Sequence, residues 1–530
     1  MKKNLFALLA VVTLAGSLAG CNPSTSGSGT GTGGKEYPDY EEQAVTPITP
    51  TLSNGGSIVN IRCWNTEFEE RFAQFYDGID EEVNPKKFVK DKGNLATASA
   101  DGTYTLKNFK TASGDKIKVK FIVNANQDNG YQIPLDRDLK NQATASADNK
   151  IDMFLMEADY ALKYANSDYS VDISKLGITE NDTKDMYDYT KVIATDTRKG
   201  MNNALKGLSW QAAPGLFAYR NDFAKKLWSD YPADPAESDT QEVKAQKTAA
   251  QAEFVQGKIG TWDKFNAVAK EAKEKNIHML SGFDDSYRTF SNSAKSSWIK
   301  KYVNVDDEKT AMLTLDPEIK NWIKQTKEYT EKKYNNQTSL WDDNWAKGQS
   351  IKGDVFGYFY STWGINFTLL GNAGEELYGQ YRVCQGPASY YWGGTWLCAA
   401  NYTDNADVVK DIMLKLTCNK DVAKSITSNE IVQDYTNNKT AMHELATDKN
   451  YGSKFLGGQN HIALFEKSAS NLKMAAMSAI DQTCNEGIQN AMKDYFTGKI
   501  SYKEAINNFK KNCQDKVNSI LFDSTFDEEL

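Results

Sequence analysis

Three histidines, His278, His443 and His461, are all that this 530-residue chain offers to imidazole chemistry. A multi-histidine metal site or a Ser-His-Asp triad therefore has little to draw on. Cys63, Cys384, Cys398, Cys418, Cys484 and Cys513 match no zinc spacing and include no C-x-x-C pair. Disulfides, for instance between Cys384 and Cys398, are left open by an even count, but a body of this size does not need staples. Cys63, in an apolar strand pattern, and Cys513, on an apolar helix face, read as small buried side chains. The oxygen-bearing side chains of "NANQDNGY", residues 124–131, invite a calcium reading. Counting from Asn124, however, Asn129 stands where glycine is needed and Leu135 where glutamate is needed, which rejects it. The expectation is no metal, no cofactor and no catalytic group. What the chain has in quantity is flat rings and carboxylates, with 11 Trp, 27 Tyr and 70 Asp plus Glu.

Those groups must be carried by regular elements. "SIVNIRCWNTEFEERFAQFYDG" reads as a β-branched strand, Ile58 to Cys63, then a helix with Phe68, Phe72, Phe75 and Tyr76 on one face. Further strands fall at residues 117–123 and 151–156, with helix-compatible sequence between them. That order implies a parallel sheet covered by helices, whose following loops gather at one sheet edge. Trp64, Asn65 and Glu67 follow the first strand, and Glu157 and Asp159 follow the third. Residues 80–115 read as a surface insertion with a short hairpin, and 229–254 as a second insertion with a loop and a short helix. Thr261 caps a helix with Phe265, Val268, Ala269 and Ala272 along one face. Ser501 and Glu504 have capping-box spacing before Ala505, Ile506, Phe509, Cys513 and Val517. The length calls for two lobes, since single cores stop growing near about 250–300 residues.

At the N-terminus, Lys2 and Lys3 precede an apolar run from Leu5 to Ala19, shorter than the roughly 20 residues a membrane span needs. Leu18-Ala19-Gly20-Cys21 resembles the lipobox of bacterial lipoproteins. That resemblance implies a signal peptide over 1–20, lipidation of Cys21, and a tether over 21–56. The Gly/Ser/Thr run to Gly34 would be a flexible coil, with Pro38, Pro47 and Pro50 keeping the rest extended. The net charge of −8 argues against nucleic acid as a partner.

Several segments, in order, resemble the extracellular solute-binding proteins of ATP-driven sugar importers, the family of maltose-binding protein. They are "IVNIRCWNTEF", "KIDMFLMEADYALKYANSDYSVDISK", "KGLSWQAAPGLFAYRNDFAKKLW", "GTWDKFNAVAKEAKEKNI", "GDVFGYFYSTWGINF" and "GPASYYWGGTWLCAANYTDNADVVKDIMLKLTCNKDVAKSI". Departures include Arg220 at a usual Asn and a large first-lobe insertion. The resemblance implies a periplasmic-binding-protein-like α/β fold, two α/β lobes joined by hinge strands with a ligand cleft between them. Residues 57–165 plus 384–440 would form the first lobe, and 166–383 plus 441–530 the second.

A sugar needs hydrogen bonds for its hydroxyls and a flat apolar partner for its C–H faces. The resemblance places Trp64, Asn65, Glu67, Glu157 and Asp159 at the cleft from one lobe. From the other come Trp210, Asp284, Asp285, Tyr287 and Trp363. Trp392, Gly394 and Trp396 belong to the return segment, where glycine would let backbone approach a ligand, and Gln459 follows. It implies a monomer that binds an oligosaccharide, docks to importer permease subunits, and touches the membrane only through its lipid, outside the cytoplasm. A peptide or polyamine receptor, a lipid-anchored glycoside hydrolase using two carboxylates, and a surface adhesin are the rival readings.

Overall fold

Ile58–Cys63 is a buried, β-branched strand at the heart of a six-stranded sheet, as a central parallel strand covered on both faces should be. This architecture comes from a computed structural model that describes residues 36–126, 130–472, 474 and 476–530. The expected signal peptide, Cys21 and the first part of the tether lie outside the described residues, as do residues 127–129 of the rejected calcium loop. Pro38–Leu530 form one unit.

The six strands run, in sheet order, Thr103–Lys110, Lys116–Val123, Ile58–Cys63, Met153–Glu157, Thr395–Ala399 and Leu208–Ser209. Ile58–Cys63 is parallel to both of its neighbours, and Thr395–Ala399 returns antiparallel to Met153–Glu157. The helix Glu67–Phe75 covers this sheet with Phe68 and Phe72. The fold is mixed α/β and periplasmic-binding-protein-like.

Three other expectations need correction. The insertion over 80–115 does contain a hairpin, Lys86–Val89 with Gly93–Ala96, but it also supplies the edge strand Thr103–Lys110 of the main sheet. Tyr104 and Leu106 are buried there, yet turn-rich flanks and lysines hid the alternation. The second insertion holds a helix of 19 residues, Gln241–Ile259, whose alanines and glutamines give only a thin apolar stripe. Leu208–Ser209, inside the range expected for the second lobe, pairs in the first sheet.

Across from that sheet, Gly215–Arg220 pairs antiparallel with Gly357–Ser361 on one side and Tyr381–Cys384 on the other. Leu280–Gly282 lies parallel to Asn335–Thr338. A further layer joins Ile299–Val305, Glu308–Leu313 and Ile520–Phe522 to the helices Asp481–Phe496 and Tyr502–Lys516. Thr261 and Ser501 cap their helices as expected, accepting from the amides of Lys264 and Glu504.

Residues 38–56 are not a free tether. Tyr40 N donates to Tyr302 O at 2.9 Å and Asn304 N to Pro38 O at 2.9 Å, so the segment lies along the edge of Ile299–Val305. Val45 N then donates to Lys199 O at 2.8 Å. Farther on, Tyr402 N donates to Thr51 O at 2.9 Å and Gly56 N to Asp404 O at 2.8 Å. Leu52 packs on the first-lobe core and Tyr302 on the core of the far layer. The strap thus joins both lobes.

Candidate functional site

Strand ends place the first group. Trp64, half-buried just beyond Cys63, stands edge-on to Tyr131 at 5.6 Å and to Tyr160 at 6.3 Å. Asn65 is exposed, and its Oδ1 accepts from Glu67 N at 3.1 Å. Glu67 accepts from the Gln211 side-chain amide at 2.8 Å, and the same nitrogen donates to Asp434 at 2.6 Å. Burial raises the pKa of both carboxyls, with Arg71 pulling the other way.

Beyond Met153–Glu157, the Glu157 carboxylate accepts from Asp159 N at 2.8 Å. Asp159 accepts both guanidinium arms of Arg288, at 2.7 and 2.5 Å. Arg288 belongs to the short helix Tyr287–Ser291, so this two-pronged pair ties the loop after Met153–Glu157 to a segment that the sequence assigned to the second lobe. Gln132 donates to Gln482 beside it, at 2.6 Å. Burial opposes the charge on Arg288, but Asp159 and then Glu157 hold it firmly protonated. Glu157 is pushed well above the usual carboxylate range by burial and by Asp159, against Arg288. Burial lifts Asp481 to about 7. Asp159, Arg288, Tyr391 and Asp481 line one polar recess.

The second group is aromatic. Trp363, two residues past the end of the buried strand Gly357–Ser361, donates its indole N–H to Trp392 O at 2.8 Å and stands across the Trp392 ring at 5.0 Å. Trp392 lies parallel to Tyr360 within 7°. Gly393 and Gly394 have φ of +76° and +106°, and an added Cβ would sit 3.1 Å from Trp363 or Trp396 respectively. Here the missing side chains make room for indoles.

Other expected ligand positions are absorbed by packing. Trp210 is buried and stacked on Phe68 at 5.2 Å. Trp396 is buried and donates to Thr190 O at 2.8 Å. Tyr287 donates to Asn485 at 2.6 Å and meets the Trp322 ring edge-on. The Gln459 amide closes on the backbone of Val383, giving and taking one bond at 2.8 and 2.9 Å. Asp285 accepts from Gly282 N at 2.6 Å and from the Trp345 indole at 3.0 Å, while Asp284 accepts from Leu340 N at 3.3 Å. Sequence order reproduced the loops but not which way their side chains turn.

Arg288, Gln211, Asp434, Tyr391 and Trp341 were missed. A five-residue helix is too short to show a periodic face, so Arg288 carried no pattern. Trp341 had one signal, an aromatic directly before the Asp342 helix cap.

The architecture decides the comparison. The protein has the fold of an extracellular solute-binding protein. A structure described as an extracellular solute-binding protein family 1 member aligns with TM-score 0.57 at 17% identity, over 74% of this chain and 93% of that one. An ABC-transporter-associated binding protein from B. animalis subsp. lactis, in complex with β-1,6-galactobiose, aligns at 0.55 and 16%, over 87% and 97%. Maltose-bound T. maritima MalE3 aligns at 0.53 and 14%, over 88% and 100%. No protein-family model and no curated protein matches the sequence. In the described part of this solute-binding fold, no cluster of His, Cys, Asp and Glu is placed to hold a metal. No described helix is long and apolar enough to cross a membrane.

Proposed function

We propose that this protein is the lipid-anchored, extracytoplasmic receptor of an ATP-driven importer, and that it captures a carbohydrate between its lobes and delivers it to the permease. The observation that carries the reading is the pairing of acceptors and rings at the facing strand ends. Glu157, Asp159 and Trp64 come from one lobe, and Trp363 with Trp392 from the other side and the return segment. Carboxylates take sugar hydroxyls and indoles take C–H faces. Sugar ligands in the structural neighbours support the same class, and Cys21 supplies the anchor. The protein itself performs no chemistry on the ligand.

Ligand must be exchanged for the Asp159–Arg288 bridge. Asp159 releases Arg288 to accept hydroxyls, and lobe closure follows from ligand contacts made to both lobes. Glu157, Asp159 and Asp481 outnumber the one arginine, and a cationic solute would draw the protons from the raised Glu157 and Asp481, so polyamines belong in the test. The experiment is a thermal-shift screen with oligosaccharides, amino acids, peptides and polyamines. A ligand at a hundredfold excess over Kd stabilises by about 2.7 kcal/mol. A shift with one glycan class and no product formation supports the reading. Silence across sugars with a response to a polyamine replaces the substrate, and release of reducing ends replaces the function.

A further inference from the structure

Packing does not account for Trp341. It is 58% exposed, and its φ of +73° lies in the left-handed region that bulky residues rarely occupy. The loop that carries it is nevertheless tightly built. Ser339 N donates to Asp342 Oδ2 at 2.9 Å, Trp345 N donates to Asp342 Oδ1 at 2.8 Å, and Leu340 N donates to Asp284 at 3.3 Å. Asp285 holds the Trp345 indole, which meets Trp341 edge-on at 5.4 Å. The buried acidic pair, Asp284 and Asp285, is therefore the footing of an exposed ring.

That ring lies over Trp363, 6.0 Å between centroids and 22° from parallel. The stack continues the corner made by Trp363 and Trp392. Phe367, four residues after Trp363, is 78% exposed. Strain concentrated at a ring held in water serves recognition rather than stability.

We infer that Trp341 forms an outer sugar subsite, so that Trp363, backed by the buried Trp392, takes one ring of a glycan and Trp341 the next. The site then selects oligosaccharides over monosaccharides. This rests on the carbohydrate reading above. The chemistry suits a sugar at a rim: the indole covers a C–H face while the hydroxyls keep their water, and no charged partner has to be desolvated.

The test is calorimetric titration of the purified full chain, wild type, Trp341→Ala and Trp341→Phe, with glucose and maltose-series oligomers and with galactose and β-1,6-galactobiose. Ring stacking predicts that Trp341→Ala weakens the longest bound member of a series roughly tenfold. Binding of its monosaccharide should change less than about twofold, and Trp341→Phe should keep most of the long-chain affinity. Equal loss at every length, or none at the longest, overturns the subsite while leaving the sugar receptor intact. A wild type that binds no saccharide at all overturns both. A change confined to sedimentation behaviour would make the rim a contact between copies and overturns the subsite too.

Discussion

On the lobe closure proposed above, replacing Arg288 with Met should open the ligand-free protein. Arg288 and Asp159 keep only 19% and 13% of their side-chain surface, so their bridge is largely out of water. Breaking a buried pair by removing one partner costs about 3–5 kcal/mol, because the remaining charge is stranded. Here Asp159 would be left beside Glu157 and Asp481, but separating the lobes returns it to solvent. The penalty therefore falls on the closed arrangement alone. Taking the lower figure for the residual exposure, about 3 kcal/mol shifts the closed-to-open ratio roughly 150-fold. Small-angle scattering of ligand-free protein should show a larger radius of gyration for Arg288→Met than for wild type. Adding Asp159→Asn should restore part of the compaction, since it removes the stranded charge. Acidification should do so too, by protonating Glu157 and Asp481, whose pKa values burial raises. An Arg288→Met protein as compact as wild type at pH 8 would refute the idea that this bridge holds the lobes.

Stability should fall as pH rises from about 5 to 8. Burial holds Asp152 and Asp481 at about 7 and Asp285 at about 6, above their unfolded values, so the native state binds more protons in that window. Thermal melts at pH 5, 6.5 and 8 check the sign, and a rising midpoint would contradict it. Asp285→Ala should cost about 2–4 kcal/mol in denaturant unfolding, because it leaves the buried Trp345 indole and Gly282 amide without an acceptor. Thiol titration of the native protein should find Cys63, Cys384, Cys398, Cys484 and Cys513 unreactive, since all are free and buried. Cys418 should react slowly, its thiol pushed up to about 11.

What was legible in the sequence followed from period and capping. Strands at Ile58–Cys63 and Met153–Glu157 and the helix after Thr261 declared themselves through β-branched runs, a 3.6 period and a cap. The order of weak motifs was enough to reach the fold. Side-chain direction in irregular loops was not legible. Asp284 and Asp285 stand among loop residues and read as cleft-facing acceptors for a ligand, yet both turn inward to indole and backbone donors. Arg288 follows them by a few residues and reaches the other lobe, a fact set by how the lobes meet rather than by local pattern. The Cys384–Cys398 pairing was left open by sequence, and both thiols are free.

Under the proposed anchoring at Cys21, the strap over residues 38–56 sets what a membrane leash would be fastened to. A leash tied to one lobe lets the other swing freely. This one is seated on both, through Lys301–Asp39 and Lys309–Glu42 at one end and the backbone bonds around Thr51 and Gly56 at the other. Both ion pairs are exposed and contribute little, whereas Leu52 is anchored in a core. The Tyr40 end also keeps its backbone bonds to Tyr302 and Asn304, so the strap gains slack only when the bonds at one of its ends break. In the anchored receptor proposed above, the reach from the membrane would then depend on whether ligand is bound.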